Sequence, residues 1–533
     1  MVDVQVGLCA VGPLALLSYY WLRRSNIRHP PSPPSLPLVG NLFSIPSGPE
    51  HLAFTKLGEQ LQADIFFLEI LGHKLLIVNS VEAASEILDK RSALYSDRPA
   101  IPMITDPALM GWSKLVSMVG YNDLWRHYRR IMNNWLNVRA VGQFDDLQER
   151  QARLLLQRLL SVTDHVEPFK RVKDEFFFAM ASSMFRLAYG YELQGPQDVF
   201  FREAQRAAHN VLLAGMQTNF FVNIFPLLAY VPDWFPGTGW KRTAREWRIQ
   251  QEKAKTEPYE WVKVQVANGT SQPSLLAPLL QGHQLLSGLS AAESDERLKE
   301  VGIMMFGGGT DTSSYFLVNL VAAMVLNPHV QARAQDKLDT VLGPTVLPSV
   351  SDKERLPYIT SLIDEVLRLY PVLPLGEHRL NGRCGDAYLI LPLFYRKYLV
   401  SFLIGGLYPT VTYLRFTRPT NRAIGRDSRY YKDPESFNPD RYLDPDVPRP
   451  PAFGWGRRKC PGIHFAQTSM FITTALLLSV FTFSKKRDRN GQEVIPQIEP
   501  ERNSFTLELK AFDFEFKPRS DKHHQLILGA IDE

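Results

Sequence analysis

Cysteine is scarce in this chain: three in 533 residues, at positions 9, 384 and 460, with no C-x-x-C pair. An odd, widely spaced set argues against a disulfide framework, and it has too few thiolates for a zinc centre. Such usage favours a reducing compartment. Charge of one sign is lacking too. The 60 Lys and Arg against 55 Asp and Glu leave +5, too mild and too even for a nucleic-acid partner. No Gly-rich strand–turn–helix unit signals a nucleotide fold, and no internal repeat is present. What remains is a globular composition, 45% hydrophobic and 22% charged, able to bury a sizeable core.

One stretch breaks the soluble pattern. Residues 6–22, VGLCAVGPLALLSYYWL, carry no charge and are followed by Arg23 and Arg24. The run is near the lower limit for crossing a bilayer. Asp3 precedes it and bulky aromatics end it, unlike a cleaved signal peptide, and the arginines behind it keep the following chain cytosolic. Residues 1–28 therefore read as a single-pass N-terminal transmembrane helix. Residues 29–45 are a proline-rich hinge, since proline at that density forbids helix and stiffens the chain. Residues 46–533 read as one large, mainly α domain with a small β-sheet region. Apolar spacing of three and four predicts helix at 81–91, 148–162 and 295–306, and alternation predicts strands within 64–79 and 504–516. Prolines and glycines preclude one long helix over the aromatic stretch 220–240, which is either core or a membrane-dipping loop.

The most informative segment is FGWGRRKCPG, residues 453–462. Gly456 and Gly462 permit close backbone approach to a flat ligand. An apolar helix is predicted to start just after Cys460, and unpaired N–H groups at a helix N-terminus favour a thiolate. A nucleophile could exploit the same device, but His464 is an unconvincing base. A buried filler residue and an axial ligand to haem iron also fit.

Phe453, Gly456, Arg458, Cys460 and Gly462 match F-x-x-G-x-R-x-C-x-G, and by this the chain resembles the cytochrome P450 family. Further blocks follow in that family's order. GGTDTS, residues 308–313, is similar to its oxygen-activating helix motif, with Asp311 and Thr312 as the acid–alcohol pair. Glu365 and Arg368 resemble its E-x-x-R pair, which locks onto a later arginine, here Arg441. Trp125 and Arg129 resemble the W-x-x-x-R pair that binds haem propionates. His378 resembles a further propionate contact, although the pattern around it is one residue short. The nearest resemblance is to membrane-anchored fungal monooxygenases of secondary metabolism.

The resemblance implies haem b with its iron ligated by Cys460, and Arg458, Trp125, Arg129, His378, Phe453, Gly456 and Gly462 around the cofactor. It implies Thr312 and Asp311 in proton delivery, and Glu365, Arg368 and Arg441 as structural residues. NADPH-cytochrome P450 reductase would supply electrons at the endoplasmic reticulum membrane. Largely apolar candidate pocket segments, such as 102–112, 306–309 and 372–375, point to a lipophilic small-molecule substrate, a terpenoid or another secondary metabolite. A reductase-independent isomerase or dehydratase is the other enzymatic reading, and the Asp311–Thr312 pair argues against it.

Residues 393–420 depart from the family pattern by roughly 20 surplus residues, of which 398–414 carry no charge. A single membrane crossing there would put Glu365 and Cys460 on opposite sides, which one domain forbids. The stretch is either an exposed insertion or translated intron sequence, the second being preferred, and if real it brings in a third reading, a catalytically impaired haem-binding protein.

Overall fold

A computed structural model of the chain describes residues 30–216, 219–376, 378–379 and 416–531. The expected anchor at 1–28, Cys9, Cys384 and residues 393–415 lie outside the described residues. The chain divides into two compact units, residues 1–97 with 376–420 and residues 98–375 with 421–533.

In the smaller unit, helix α1 (Glu50–Leu61) precedes the hairpin β1 (Ile65–Ile70) and β2 (His73–Val78). Leu71 and Gly72 turn the hairpin with φ of 50° and 81°, the left-handed pair that matches strand twist. β3 (His378–Arg379) and β4 (Phe416–Pro419) complete a sheet of order β1-β2-β4-β3. β4 runs parallel to β2, pairing Val78 with Pro419, and antiparallel to β3. The last residues of the stretch read as surplus are therefore sheet residues: Thr420 N–H also donates to the Val78 carbonyl at 2.9 Å. The hinge is not a free spacer either. Buried Asn41 donates to the Pro33 carbonyl at 2.7 Å and exchanges two hydrogen bonds with the Glu69 backbone, pinning the prolines to β1.

The larger unit is helical. Its longer helices are α2 (Asp123–Leu136), α3 (Asp145–Leu160), α4 (Phe169–Tyr189), α5 (Val199–Gly215), α6 (Gly239–Ala267), α7 (Ala291–Leu326), α8 (Pro328–Leu342), α9 (Pro357–Leu369), α10 (Ile463–Val480) and α11 (Asp521–Leu528), with a two-stranded sheet of β5 (Phe481–Ser484) and β6 (Glu515–Pro518). α10 is apolar enough to cross a membrane, but 78% of it is buried in the protein, so it is a core helix. Residues 504–513 were expected as strand. Leu507, Leu509 and Phe512 are buried there, but Leu507 N–H goes to the Val372 carbonyl and Lys510 N–H to the Glu499 carbonyl, so only the bridge Pro500–Leu509 forms before β6.

α7 organises this unit. Ser290 and Glu293 close a reciprocal cap at its start, satisfying two otherwise orphaned N–H groups. Its Leu298–Phe306 part buries apolar side chains in one core cluster, and its Tyr315–Val325 part buries them in another. The glycines and polar residues of Gly307–Ser313 lie between the two apolar clusters.

Candidate functional site

The cysteine loop is closed by one backbone bond, Cys460 N–H to the Phe453 carbonyl at 2.9 Å. Gly456 has φ of 52°, a left-handed conformation that a side chain would strain. Gly462 caps α10, and its N–H reaches the Cys460 sulfur. Cys460 is a free thiol, deep in its surroundings yet retaining some accessible surface. Burial pushes the thiol up, against the pull of the Gly462 N–H and the Arg129 charge. The helix-terminus effect read from the sequence is thus present but outweighed by desolvation.

α2 brings the second block to this loop. Asn122 caps α2 through the Trp125 N–H at 3.0 Å, which fixes where its face begins. Arg129 donates to the Lys459 carbonyl at 2.8 Å, immediately before the cysteine. Arg458 donates to the Val119 carbonyl at 2.7 Å, and its guanidinium lies 4.6 Å from the Trp125 ring centroid. Arg129 lies 5.9 Å from the same ring. Burial lowers the Arg129 pKa and Cys460 raises it back, so the two influence each other directly. Two pairs over 300 positions apart in sequence, Trp125 with Arg129 and Arg458 with Cys460, therefore meet at one place.

On α7 the three glycines serve different ends. A Cβ on Gly309 would stand 2.1 Å from the Met184 sulfur of α4, so this glycine is a packing notch. A Cβ on Gly308 would come within 3.1 Å of Met304, whereas one on Gly307 would meet no atom within 4 Å. The Gly307 side of α7 fronts space rather than packed protein. Thr312 donates its hydroxyl to the Gly308 carbonyl at 2.6 Å, which orients its oxygen lone pairs away from the helix. Asp311 is pushed up to about 7, chiefly by burial and then by the Glu508 charge, against Lys173. A carboxyl in that range holds or releases a proton at little cost near neutral pH.

The E-x-x-R pair is the best-satisfied polar cluster near the site. Glu365 and Arg368 are both 0% exposed, paired at 2.7 and 2.8 Å. Arg441 donates to Glu365 at 3.1 Å, and Asn438 N–H at 2.7 Å. The two guanidiniums spend their other N–H groups on backbone carbonyls, Arg368 on Gly425, Pro434 and Ser436 and Arg441 on Lys432 and Ser436. Isolated on a helix surface, an i,i+3 pair is worth about 0.2–0.5 kcal/mol. Buried and fully bonded, this one staples residues 425–441 to α9, ahead of the cysteine loop.

His378 sits in β3 of the smaller unit, 6% exposed, with its Nδ1 3.1 Å from the Tyr95 carbonyl. Sequence reasoning missed Lys173, Arg502 and Glu508, whose charges reach Asp311 and its neighbour Tyr315. A glutamate within the apolar alternation of residues 504–509 was the available signal.

The donor set suits the haem that the resemblance implies: one enclosed but accessible thiol for iron, two guanidiniums and an indole for carboxylate arms, and a helix face open at Gly307.

The family profile described as Cytochrome P450 matches residues 30–383 and 420–508, leaving out 384–419. Cytochrome P450 monooxygenase 98 of Postia placenta is 34% identical over 501 residues, covering 92% of this chain and 90% of the relative. Tryptamine 4-monooxygenase of Psilocybe cyanescens is 31% identical over 506 residues, 93% of each. Among solved structures, a zebrafish cytochrome P450 determined with abiraterone matches with TM-score 0.66 at 21% identity, over 89% of this chain and all of that one.

Proposed function

This chain belongs to the cytochrome P450 family, a haem-thiolate monooxygenase, and from that premise we propose that Cys460 is its iron ligand and that its substrate is a lipophilic secondary metabolite such as a terpenoid. The observation that carries the residue assignment is the Arg129 bond to the Lys459 carbonyl, which ties the W-x-x-x-R helix to the cysteine loop. When bound, haem supplies oxygen activation and the oxidation of unactivated carbon.

Every other task falls to the chain. Trp125, Arg129 and Arg458 hold the propionates, and Arg is suited to this because its planar fork pairs carboxylate oxygens. Phe453, Gly456 and Gly462 shape the loop so that the thiol is presented without a side chain in the way. Asp311 takes and releases protons, and Thr312 positions the acceptor with the lone pairs its bond to Gly308 leaves available. Glu365, Arg368 and Arg441 keep the approach to the loop rigid. Electrons come from NADPH through cytochrome P450 reductase docking near the cysteine loop, where exposed Arg126 and Arg457 both lie over the Tyr121 ring.

Membrane association at the endoplasmic reticulum rests on two features, the apolar run at 6–22 and a patch in the larger unit. Phe221, Leu227, Tyr230, Trp234 and Phe235 are each at least half exposed, far more apolar surface than a soluble face needs. Val222 and Ala229 of the same stretch are core, so it is the exposed aromatics around them that favour the membrane-dipping loop.

The test is NADPH consumption by the purified full-length protein with a fungal reductase, after its reduced carbon-monoxide spectrum has been recorded. Turnover on terpenoid candidates, abolished in Cys460→Ser, supports the assignment. A thiolate-type band without reductase-dependent turnover across a broad lipophilic panel would move the reading to a reductase-independent enzyme.

A further inference from the structure

Between the short helix Pro102–Thr105 and α2 the chain forms no further helix or strand, so residues 106–122 depend on other elements for their position. This strap buries Leu109, Met110, Trp112 and Leu115. One face of α6 holds it. Arg248, Gln251 and Lys255 follow at spacings of three and four, which aligns them along the helix. Arg248 donates to the Pro107 carbonyl at 2.8 Å, and Gln251 to the Met110 carbonyl at 2.7 Å. Lys255 Nζ instead meets Glu300 of α7 at 3.1 Å, and the other oxygen of Glu300 accepts from the Trp112 indole N–H at 2.7 Å. Trp112, Lys255 and Glu300 are only 3%, 4% and 1% exposed, so this junction is sealed from solvent.

Glu300 is where the strap, α6 and α7 join. A lone charge at that depth would be costly, but both of its oxygens accept from donors, and Lys255 also pairs with Glu252 at 2.9 Å. Glu300 lies two turns before Gly307, so it falls on the same side of α7 as the open Gly307 face, roughly 10 Å away along the axis. The other end of the strap reaches the cysteine loop. The Val119 carbonyl accepts from Arg458 at 2.7 Å, and the Tyr121 ring centroid lies 5.1 Å from that of Trp125. The strap therefore spans from the Glu300 junction to the residues proposed to hold the haem.

We propose that Glu300 is a positioning residue: by joining Trp112 and Lys255 it pins the strap to α6 and α7, and the pinned strap limits how fast a ligand reaches the Gly307 face. The proposal rests on the haem-thiolate reading for the ligand's destination, while the pinning itself does not depend on it. Opening the strap requires the Trp112 N–H to part from a carboxylate that stays buried and is then short of a donor, which makes this contact hard to break. The Arg248 bond is exposed and is exchanged readily for water, and Gln251 holds a single carbonyl. Glu300 is thus the point whose loss frees the strap.

A pair of substitutions separates pinning from folding. Glu300→Leu alone leaves Lys255 buried with only Glu252 and lowers the thermal midpoint. Adding Lys255→Met removes that charge and returns the midpoint toward wild type. The double variant still lacks an acceptor for Trp112, so its strap stays loose. The experiment uses the full-length, haem-loaded protein in detergent. By hydrogen–deuterium exchange and mass spectrometry, peptides covering 106–119 should exchange about tenfold faster in the double variant, with those of α9 and α10 unchanged. Carbon monoxide rebinding from solution after flash photolysis should be about threefold faster. Wild-type exchange in the strap of the double variant, or faster exchange without faster carbon monoxide entry, overturns the proposal. If the double variant does not fold, Trp112→Phe, which removes the indole N–H and keeps an aromatic ring, is read by the same two measurements. A wild-type protein without a thiolate-type carbon-monoxide band refutes the haem assignment, and exchange alone then decides the pinning.

Discussion

Replacing Glu365 by glutamine keeps the side-chain shape and removes the one negative charge between two buried guanidiniums. Oε1 accepts from Arg368 Nη2, Arg441 Nε and Asn438 N, and Oε2 accepts from Arg368 Nε and Arg441 Nε. An amide turns one of those oxygens into an NH₂ group that faces donors whichever way it is flipped. Breaking a buried pair while its partner stays charged costs about 3–5 kcal/mol. The unfolding entropy of about 2 cal/mol/K per residue, over a chain of roughly 500 residues, makes this a fall of about 3–5 °C in the thermal midpoint. The control is Arg449→Gln, which breaks the half-exposed pair with Asp364 at 2.7 Å and should cost about 1 kcal/mol or less. Differential scanning calorimetry reads both. A Glu365→Gln midpoint no lower than that of Arg449→Gln would refute the argument that burial, not mere pairing, gives this cluster its strength.

The α7 glycines should separate by substitution. Gly307→Ala gains about 1 kcal/mol of helix propensity without a clash, whereas Gly309→Ala loses about 1–2 kcal/mol net because Met184 must move, both read by thermal unfolding. The Asp311 pKa is raised in the folded state, so its proton-linked stability is full below about pH 4 and lost as pH rises to about 7. Asp311→Asn removes that loss, so its thermal midpoint relative to wild type should climb across this window, and a flat difference would contradict the burial of Asp311. Leu227→Ser with Trp234→Ser removes two exposed apolar side chains and should lower partition onto phosphatidylcholine vesicles at least tenfold in sedimentation, leaving secondary structure by circular dichroism unchanged.

What could be read beforehand depended on whether local pattern or distant packing fixed each feature. The helices at 148–162 and 295–306 and the hairpin within 64–79 were legible because their own periodicity decides them. The cysteine loop, the W-x-x-x-R helix and the E-x-x-R pair were legible as motifs, but nothing in their spacing said that Arg129 would bond the carbonyl next to Cys460. Strand β4 was missed because Phe416–Pro419 pairs with β2, over 300 residues earlier, and a register set by so distant a partner leaves little local trace. Of the strand expected within 504–516 only Glu515 and Phe516 joined β6, for the converse reason: the earlier side chains alternate, yet N–H groups such as those of Leu507 and Lys510 found other carbonyls instead of a strand ladder. Glu508 escaped notice because a single acid in an apolar segment reads as a solvated edge until its cations, one of them 335 residues away, are placed beside it.

The central claim is that Cys460, and no other residue, presents the thiolate that defines this enzyme's chemistry. The direct measurement is the reduced carbon-monoxide difference spectrum of the wild-type protein beside Cys460→Ser and Cys384→Ser, each at matched protein concentration. The thiolate-type Soret band should be full in wild type and Cys384→Ser and absent in Cys460→Ser. Persistence of that band without Cys460, or its absence from the folded wild-type protein, would contradict the account.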